Sequence, residues 1–226
     1  QEDFIPRVEQ MLAERGLEGV TLYMETYDRA TYAAVHQRGQ KMDYTHRIEA
    51  LEHAGQAGVR RLTAGVLLGL FDWRLDALWT ALHTHYLQKK CWTSAVSLSF
   101  PRLRHTPPRF AIAHPVSDVD LVQMILAMRL FLPEAGFNLS TREPAALRDR
   151  LIPLGITAMS AGSSTRPGGY AVHRATAEST ETDERMVLEQ FEIEDRRTPA
   201  EVVQAIRHAG YDPVWKDFDR AFDDAP

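Results

Sequence analysis

The chain has 226 residues, 44% hydrophobic and 25% charged, with a formal net charge of -5; that is the composition of one globular domain with a sizeable core. No basic block is present, which argues against a nucleic-acid partner, and no apolar run reaches the roughly 18 residues that a membrane span needs. With one cysteine, Cys91, no internal disulfide can form; no signal-peptide pattern opens the chain, and a reducing, cytoplasmic compartment is expected.

Phe4, Val8, Met11 and Leu12 recur at helical spacing and predict a helix over residues 4–15, stopped by Gly16. Residues 20–24 (VTLYM) read as a strand ending in Glu25, Thr26 and Tyr27. A polar connection through His36, Gly39 and Lys41 follows. Asp43 is placed to cap a helix running to about Ala57, with Ile48, Leu51 and Ala54 on one face and Gly58 closing it. Residues 62–68 form the next strand, ending at Gly69. The helix over residues 73–88 has Leu75, Leu78, Trp79, Leu82 and Tyr86 as its apolar stripe.

Residues 94–100 are a strand ending in Pro101, Arg102, Leu103 and Arg104. A loop with Pro107, Pro108 and Pro115 leads to Ser117, the cap of a helix through about Leu132 with Val122, Ile125, Met128 and Leu132 inward. A strand beginning at Phe137 ends in Ser140, Thr141, Arg142 and Glu143. The helix over residues 144–154 separates it from a second strand ending in residues 160–165. Residues 173–189 are polar and acidic, without periodicity, and read as a surface loop. Thr198, Pro199 and Glu201 make a capping box with proline at the first helical position; that helix stops at Gly210 and a short tail follows.

The order is a helix and then about five strand–helix pairs, which predicts a parallel sheet covered by helices. No G-x-G-x-x-G turn follows an early strand, as a dinucleotide-binding sheet requires. Polar strand ends on apolar strand bodies point instead to a (β/α) barrel of the TIM type, whose sites lie at those ends. Five strands do not close an eight-strand barrel and leave exposed edges. The expected fold is α/β, a partial barrel of about the last five units. All 226 residues are then the C-terminal portion of one barrel domain, with a helix and tail from about residue 190. The chain opens on Gln1, as a processed protein or a fragment does.

Glu25, Tyr27 and Arg47 form the first candidate site: the carboxylate suits a ribose hydroxyl, and the arginine a ligand carboxylate. The alternative is a structural Glu–Arg pair at the rim. Residues 65–69 (GVLLG) suit close backbone approach of a flat ligand, or a tight turn and close packing. Arg102 and Arg104 either hold anions or face solvent. Ser140 and Arg142, two apart on an extended chain, point the same way. Together they suit an amino-acid carboxylate; otherwise the segment only begins the next helix. Ser160 to Tyr170, with Gly168 and Gly169, is either a backbone anion cradle or a plain turn. The nine histidines form no metal pattern, and Cys91 reads as a buried, inert thiol.

In order along the chain, the runs YMETYDRATYAAVHQRGQK (23–41), DYTHRIEALEHAGQAGV (43–59), GVLLGLFDWR (65–74), SFPRLR (99–104), LSTREPAALRDRLIPLGIT (139–157), SAGSSTRPGGY (160–170) and PVWKDFD (213–219) resemble the tyrosine lyases of the radical SAM superfamily. The likeness is to their 2-iminoacetate synthase branch, in thiamine biosynthesis. The resemblance implies a full barrel, of which these strands are the fourth to eighth. It also implies a C-x-x-x-C-x-x-C motif holding a 4Fe-4S cluster, which this chain lacks. Glu25 and Arg47 then contact S-adenosylmethionine at ribose and methionine carboxylate, with Tyr27 beside them. Val66 and Leu68 lie along the cofactor through their backbone. Ser140 and Arg142 hold the carboxylate of L-tyrosine, and the turn with Ser160 and Ser163 helps close that end. No residue of the chain is assigned to catalysis or to metal.

The implied reaction begins when the cluster reduces S-adenosylmethionine to methionine and a 5'-deoxyadenosyl radical. Hydrogen abstraction from tyrosine breaks its Cα–Cβ bond, giving 2-iminoacetate and p-cresol. The chain by itself is expected to be inactive and to need an N-terminal half; a thiazole synthase is the expected partner. Two other readings stand beside this one. They are a cluster-less paralogue acting as a binding module, and a tyrosine lyase of the kind that matures FeFe-hydrogenase.

Overall fold

A computed structural model of the protein describes residues 7–8, 11, 16–104, 112–164 and 193–215. Strand β1 (Gly19–Tyr23) is followed by α1 (Arg29–Val35), a short 3-10 turn (Gln40–Met42) and α2 (Tyr44–Gln56). Then come β2 (Arg61–Gly65), α3 (Trp73–Lys90), β3 (Ala95–Ser99) and α4 (Asp118–Phe131). β4 (Gly136–Leu139), α5 (Ala145–Leu151), a 3-10 turn (Ile152–Leu154), β5 (Ala158–Met159) and α6 (Pro199–His208) complete the described order.

The strands form one parallel sheet in the order β1-β2-β3-β4-β5. Parallel neighbours joined in sequence by crossovers of the usual right hand put α2, α3, α4 and α5 on the same face. That face is apolar: Leu62, Ala64, Val96, Leu98, Phe137 and Leu139 are buried with Leu51 and Ala54 of α2, Leu87 of α3, and Leu121, Ile125 and Met128 of α4. Strand alternation sends Thr21, Tyr23, Thr63, Ser97, Ser99 and Asn138 to the opposite, inner face. Five units so arranged are part of a barrel, as the strand–helix order predicts.

Local chemistry sets the helix ends. Asp43 accepts from His46 N at 2.9 Å and caps α2, and Gly58 takes φ +92 past its end. Ser117 with Asp120, and Thr198 with Glu201, form complete capping boxes. Gly65 must be glycine, because a Cβ there would stand 2.1 Å from Ser99 O and 2.7 Å from the Tyr23 ring.

Three expectations need correction. The connection through His36 is not all loop: α1 lies in it, capped by Asp28 and anchored by buried Tyr32, whose hydroxyl donates to Lys41 O at 2.6 Å. Seven residues with one buried side chain are too short for a periodic signal. Strand β2 ends at Gly65 rather than Leu68, since Leu67 N turns to Glu25 O and Leu68 bridges to Arg102 on the rim.

The third correction concerns α3. Its predicted stripe faces outward, with exposures from 42% for Leu82 to 54% for Trp79. The buried side is Trp73, Asp76, Ala77, Thr80, Ala81, Thr84 and Leu87. Small residues there let the helix sit close on β2 and β3; bulky ones would hold it off. The helix over residues 4–15, Pro107, Pro108, residues 165–192 and the tail from Lys216 lie outside, or mostly outside, the described residues.

Candidate functional site

The rim at the strand C-terminal ends begins with Glu25. Met24 N still reaches Gly65 O at 2.9 Å, and then the chain turns. Glu25 takes φ +67, the one left-handed non-glycine among the described residues; such a conformation costs about 1–3 kcal/mol and persists where surroundings impose it. Here α3 imposes it. Asp76 Oδ1 accepts from Thr26 Oγ1 at 3.0 Å and from Tyr27 N at 2.8 Å. Leu67 N fixes the Glu25 carbonyl at 2.8 Å. Burial pushes the Asp76 carboxyl up to about 6, against the lowering by its bonds to Tyr27 and Thr26.

The Glu25 side chain is met by Lys41 Nζ at 3.1 Å and Arg47 Nη2 at 3.7 Å. Arg47 Nε donates to Tyr23 O at 2.9 Å, which aims the guanidinium at the rim. Glu25 and Arg47 are therefore together, as a structural pair that keeps partial access to solvent. Tyr27 is not with them. Its ring is buried under α3 and its hydroxyl shares a 2.7 Å hydrogen bond with His83 Nδ1. Burial raises the Tyr27 hydroxyl far above its usual range and lowers His83 to about 4. The Val66 and Leu68 side chains are also buried, and the Leu68 backbone is bonded on both sides, its N–H to Pro101 O at 2.9 Å and its carbonyl to Leu103 N at 2.8 Å.

Past the end of β4 the chain turns at Thr141 and Arg142 rather than staying extended, yet burial still alternates. Thr141 and Glu143 are buried, while Ser140 and Arg142 are partly exposed. Ser140 Oγ accepts from Arg142 N at 3.4 Å. Desolvation lowers the Arg142 guanidinium, opposed by Tyr23, Glu25 and Glu143. Both candidate pairs therefore lie at the C-terminal ends of strands of one parallel sheet, Glu25 after β1 and Ser140 with Arg142 after β4.

Behind this rim lie two buried charge networks. Glu143 binds Arg102 through both carboxylate oxygens, including Nε to Oε1 at 2.8 Å, and Arg104 at 3.1 Å. Arg102 also donates to Val116 O and Asp118. Arg102 is thus neither solvent-facing nor available to an anion. Asp195 pairs with Arg148 and, at 2.7 Å, with Arg197; against the raising effect of burial, Arg197 and Arg148 hold its carboxyl down at about 2. Glu194 N and Asp195 N both donate to Thr141 O at 3.0 Å, which ties this segment to the Ser140–Arg142 turn.

Arg148 donates to Ser160 O, and Ser160 N donates to Leu139 O at 3.0 Å. The Ser160 backbone is therefore committed, while its side chain is exposed. Ser163 is partly exposed just after Gly162. Asp76, Glu143, Arg148 and Asp195 were invisible as site supports in the sequence. The one signal was Asp76 on a helix face it shares with Ala77, Thr80, Ala81 and Thr84.

Among the described residues no group of three or more His, Cys, Asp or Glu can hold a metal. Cys91 is buried against Gly55, and burial raises its thiol. A single buried thiol does not fit a 4Fe-4S cluster, which takes three or four thiolates. Glu25 and Arg47 fit S-adenosylmethionine in chemistry: a partly exposed carboxylate, paired with Lys41 and Arg47, and a guanidinium match its hydroxyls and its carboxylate.

Comparison with known proteins agrees with this architecture. The Biotin and Thiamin Synthesis associated domain matches residues 99–212, half of the chain. The chain is 44% identical over 209 residues to a 2-iminoacetate synthase of Escherichia coli (strain K12), covering 92% of this chain and 52% of that protein. It is 42% identical over 205 residues to a 2-iminoacetate synthase of Salmonella typhimurium (strain LT2), covering 90% and 52%. It therefore spans about half the length of these relatives. A crystal structure of HydG, a maturase of the FeFe-hydrogenase, superposes with a TM-score of 0.78 at 32% identity over 92% of this chain and 43% of HydG. HydG from Carboxydothermus hydrogenoformans gives 0.77 at 33% identity over 92% and 45%.

Fold and rim define part of a (β/α) barrel of the radical SAM type. The likeness to 2-iminoacetate synthases read from the strand-end motifs is borne out by both curated relatives. The chain belongs to the Biotin and Thiamin Synthesis associated domain family.

Proposed function

We propose that this chain is the substrate- and cofactor-holding portion of a radical SAM tyrosine lyase. The reaction is cleavage of the Cα–Cβ bond of L-tyrosine to 2-iminoacetate and p-cresol, for the thiazole of thiamine. The observation that carries the reading is the meeting of Glu25 and Arg47 at the strand ends, 3.7 Å apart, in a chain 44% identical to a 2-iminoacetate synthase. The lower identity to HydG favours this branch over the hydrogenase maturase.

Glu25 accepts from the ribose hydroxyls of S-adenosylmethionine, and Arg47 holds its methionine carboxylate. Val66 and Leu68 line the cofactor with backbone alone, and Tyr27 supports the turn from beneath instead of touching the ligand. When bound and cleaved, S-adenosylmethionine supplies a 5'-deoxyadenosyl radical. Ser140 and Arg142 hold the tyrosine carboxylate by a hydroxyl and a bidentate guanidinium. The Ser160 and Ser163 turn covers that end and excludes water. The chain's share of the chemistry is orientation and shielding. Cluster ligands come from outside these residues, the whole forms one barrel domain, and the compartment is the cytoplasm, with a thiazole synthase as partner. No helix among the described residues is long and apolar enough to cross a membrane.

The test is anaerobic reconstitution of the full-length protein with iron and sulfide, then reduction with S-adenosylmethionine and tyrosine. Release of p-cresol is expected. A full cluster with no p-cresol defeats the reading.

A further inference from the structure

The inner face of the sheet holds a polar cluster that the rim does not account for. Thr63 on β2 and Ser97 on β3 are register partners, and their hydroxyls share a 2.7 Å hydrogen bond. Asn138 on β4 reaches in beside them: its Nδ2 donates to Ser97 Oγ at 3.1 Å and approaches Thr63 Oγ1 at 3.5 Å. Inward positions of a (β/α) barrel are ordinarily filled by layers of bulky branched residues. Here three adjacent strands carry two hydroxyls and an amide, with Gly65 and Ser99 in register with Asn138. A barrel that gives up its filling residues at this level has room for something else, and hydrogen bonds to offer it.

Asn138, on β4, stands two residues below Ser140, which follows the end of that strand. Two strand residues rise about 6.6 Å, which matches the reach of a p-hydroxyphenyl group from its α carbon. We propose that Asn138, with Ser97 and Thr63, binds the phenolic hydroxyl of the substrate and so selects tyrosine over phenylalanine. The inference rests on the tyrosine reading above and adds to it a second anchor, at the opposite end of the substrate from Arg142. The amide nitrogen is engaged by the two hydroxyls; the amide oxygen is an acceptor of the kind that a phenolic O–H needs. The ligand is an amino acid running down the barrel, carboxylate at the rim and hydroxyl at the polar layer. A layer built to bond that hydroxyl disfavours the analogue lacking it, because the Asn138 amide oxygen then faces an apolar ring edge and loses its donor.

The experiment is equilibrium dialysis of labelled tyrosine and phenylalanine with full-length protein, saturated with S-adenosylmethionine and without reductant. Wild type, Asn138→Leu and Ser97→Ala are compared, with folding checked by circular dichroism. Wild type is expected to bind tyrosine at least about tenfold more tightly than phenylalanine, and Asn138→Leu to lose about tenfold of that preference. Ser97→Ala, a smaller change, shifts the ratio in the same direction and keeps the test open should the leucine variant misfold. Wild-type preference retained in both variants overturns the inference. Equal binding of the two amino acids by wild type overturns it too, while leaving the carboxylate site standing. Binding of neither defeats the tyrosine reading itself.

Discussion

Asp76 holds Tyr27 by its backbone. The carboxylate Oδ1, buried on α3, accepts from Tyr27 N at 2.8 Å, two residues past the strained Glu25. A helix on the outside of the sheet thereby shapes the rim on which a ligand would sit. Removing the acceptor in Asp76→Ala is expected to cost about 1–3 kcal/mol, measured by urea unfolding of the full-length protein. Asp76→Asn keeps a carbonyl in place and should recover most of the loss.

The same carboxyl sets a pH dependence. Its pKa is raised from 3.8 to about 6 by burial, so the folded state keeps a proton that the unfolded state has released between those values. Stability from this group is fully present below 3.8 and declines as pH rises through about 6. Asp76→Asn cannot titrate. Its stability relative to wild type should therefore rise between pH 4 and pH 7, read from unfolding midpoints at each pH.

Asp195 acts in the opposite sense. Arg197 and Arg148 hold its carboxyl at about 2, below the usual 3.8. Its contribution is present above 3.8 and is lost as pH falls toward 2. Asp195→Ala leaves the buried Arg148 guanidinium uncompensated and should cost about 3–5 kcal/mol at neutral pH. Thermal and urea unfolding would show it.

Glu25→Gly separates shape from chemistry. Glycine takes a positive φ freely, and relief of the strain offsets the loss of two rim ion pairs, leaving stability unchanged or raised by about 1 kcal/mol. Affinity for S-adenosylmethionine, measured by calorimetry, should nevertheless fall about tenfold or more.

The two rim arginines should divide by ligand. Arg142→Ala is expected to abolish p-cresol formation from tyrosine while sparing S-adenosylmethionine binding. Arg47→Ala should weaken the cofactor first. Arg142→Lys should rescue poorly, because an ammonium cannot make a bidentate contact. Equal loss of both ligands in Arg142→Ala would make that residue a structural support.

The orientation of α3 gives a further check. Leu78→Ser on its exposed side should change stability by less than about 0.5 kcal/mol, whereas Ala81→Leu on the buried side should cost about 1–3 kcal/mol through overpacking. Circular dichroism melts of the two variants distinguish the faces directly.

Asp43, Ser117 and Thr198 were legible as caps because a cap is decided within three or four residues. The alternation that sends Ser140 and Arg142 one way, and Thr141 and Glu143 the other, was legible for the same reason. The α3 face was not. Its Leu75, Leu78, Trp79, Leu82 and Tyr86 make a sound apolar stripe, and nothing local says that the sheet accepts only Ala77, Thr80, Ala81 and Thr84. Tyr27 stands next but one to Glu25 in sequence, yet its ring goes under α3 while the Glu25 carboxylate goes to Arg47.

By itself, then, the sequence determined the five strand–helix units, the caps of their helices, the parallel sheet and the residues at the strand tips, though not α1 or the end of β2. These follow from hydrogen bonds and side-chain periods that span a single turn or a single strand. Only the tertiary structure decided that Glu25 meets Arg47 at the rim while Tyr27 goes beneath α3, that Arg102, Glu143, Arg148 and Asp195 are buried supports, and that Thr63, Ser97 and Asn138 meet. Each of those contacts joins residues from separate strands or loops. Their distances are set by how the sheet curves and which helix face it can accept, and neither is encoded within any one segment.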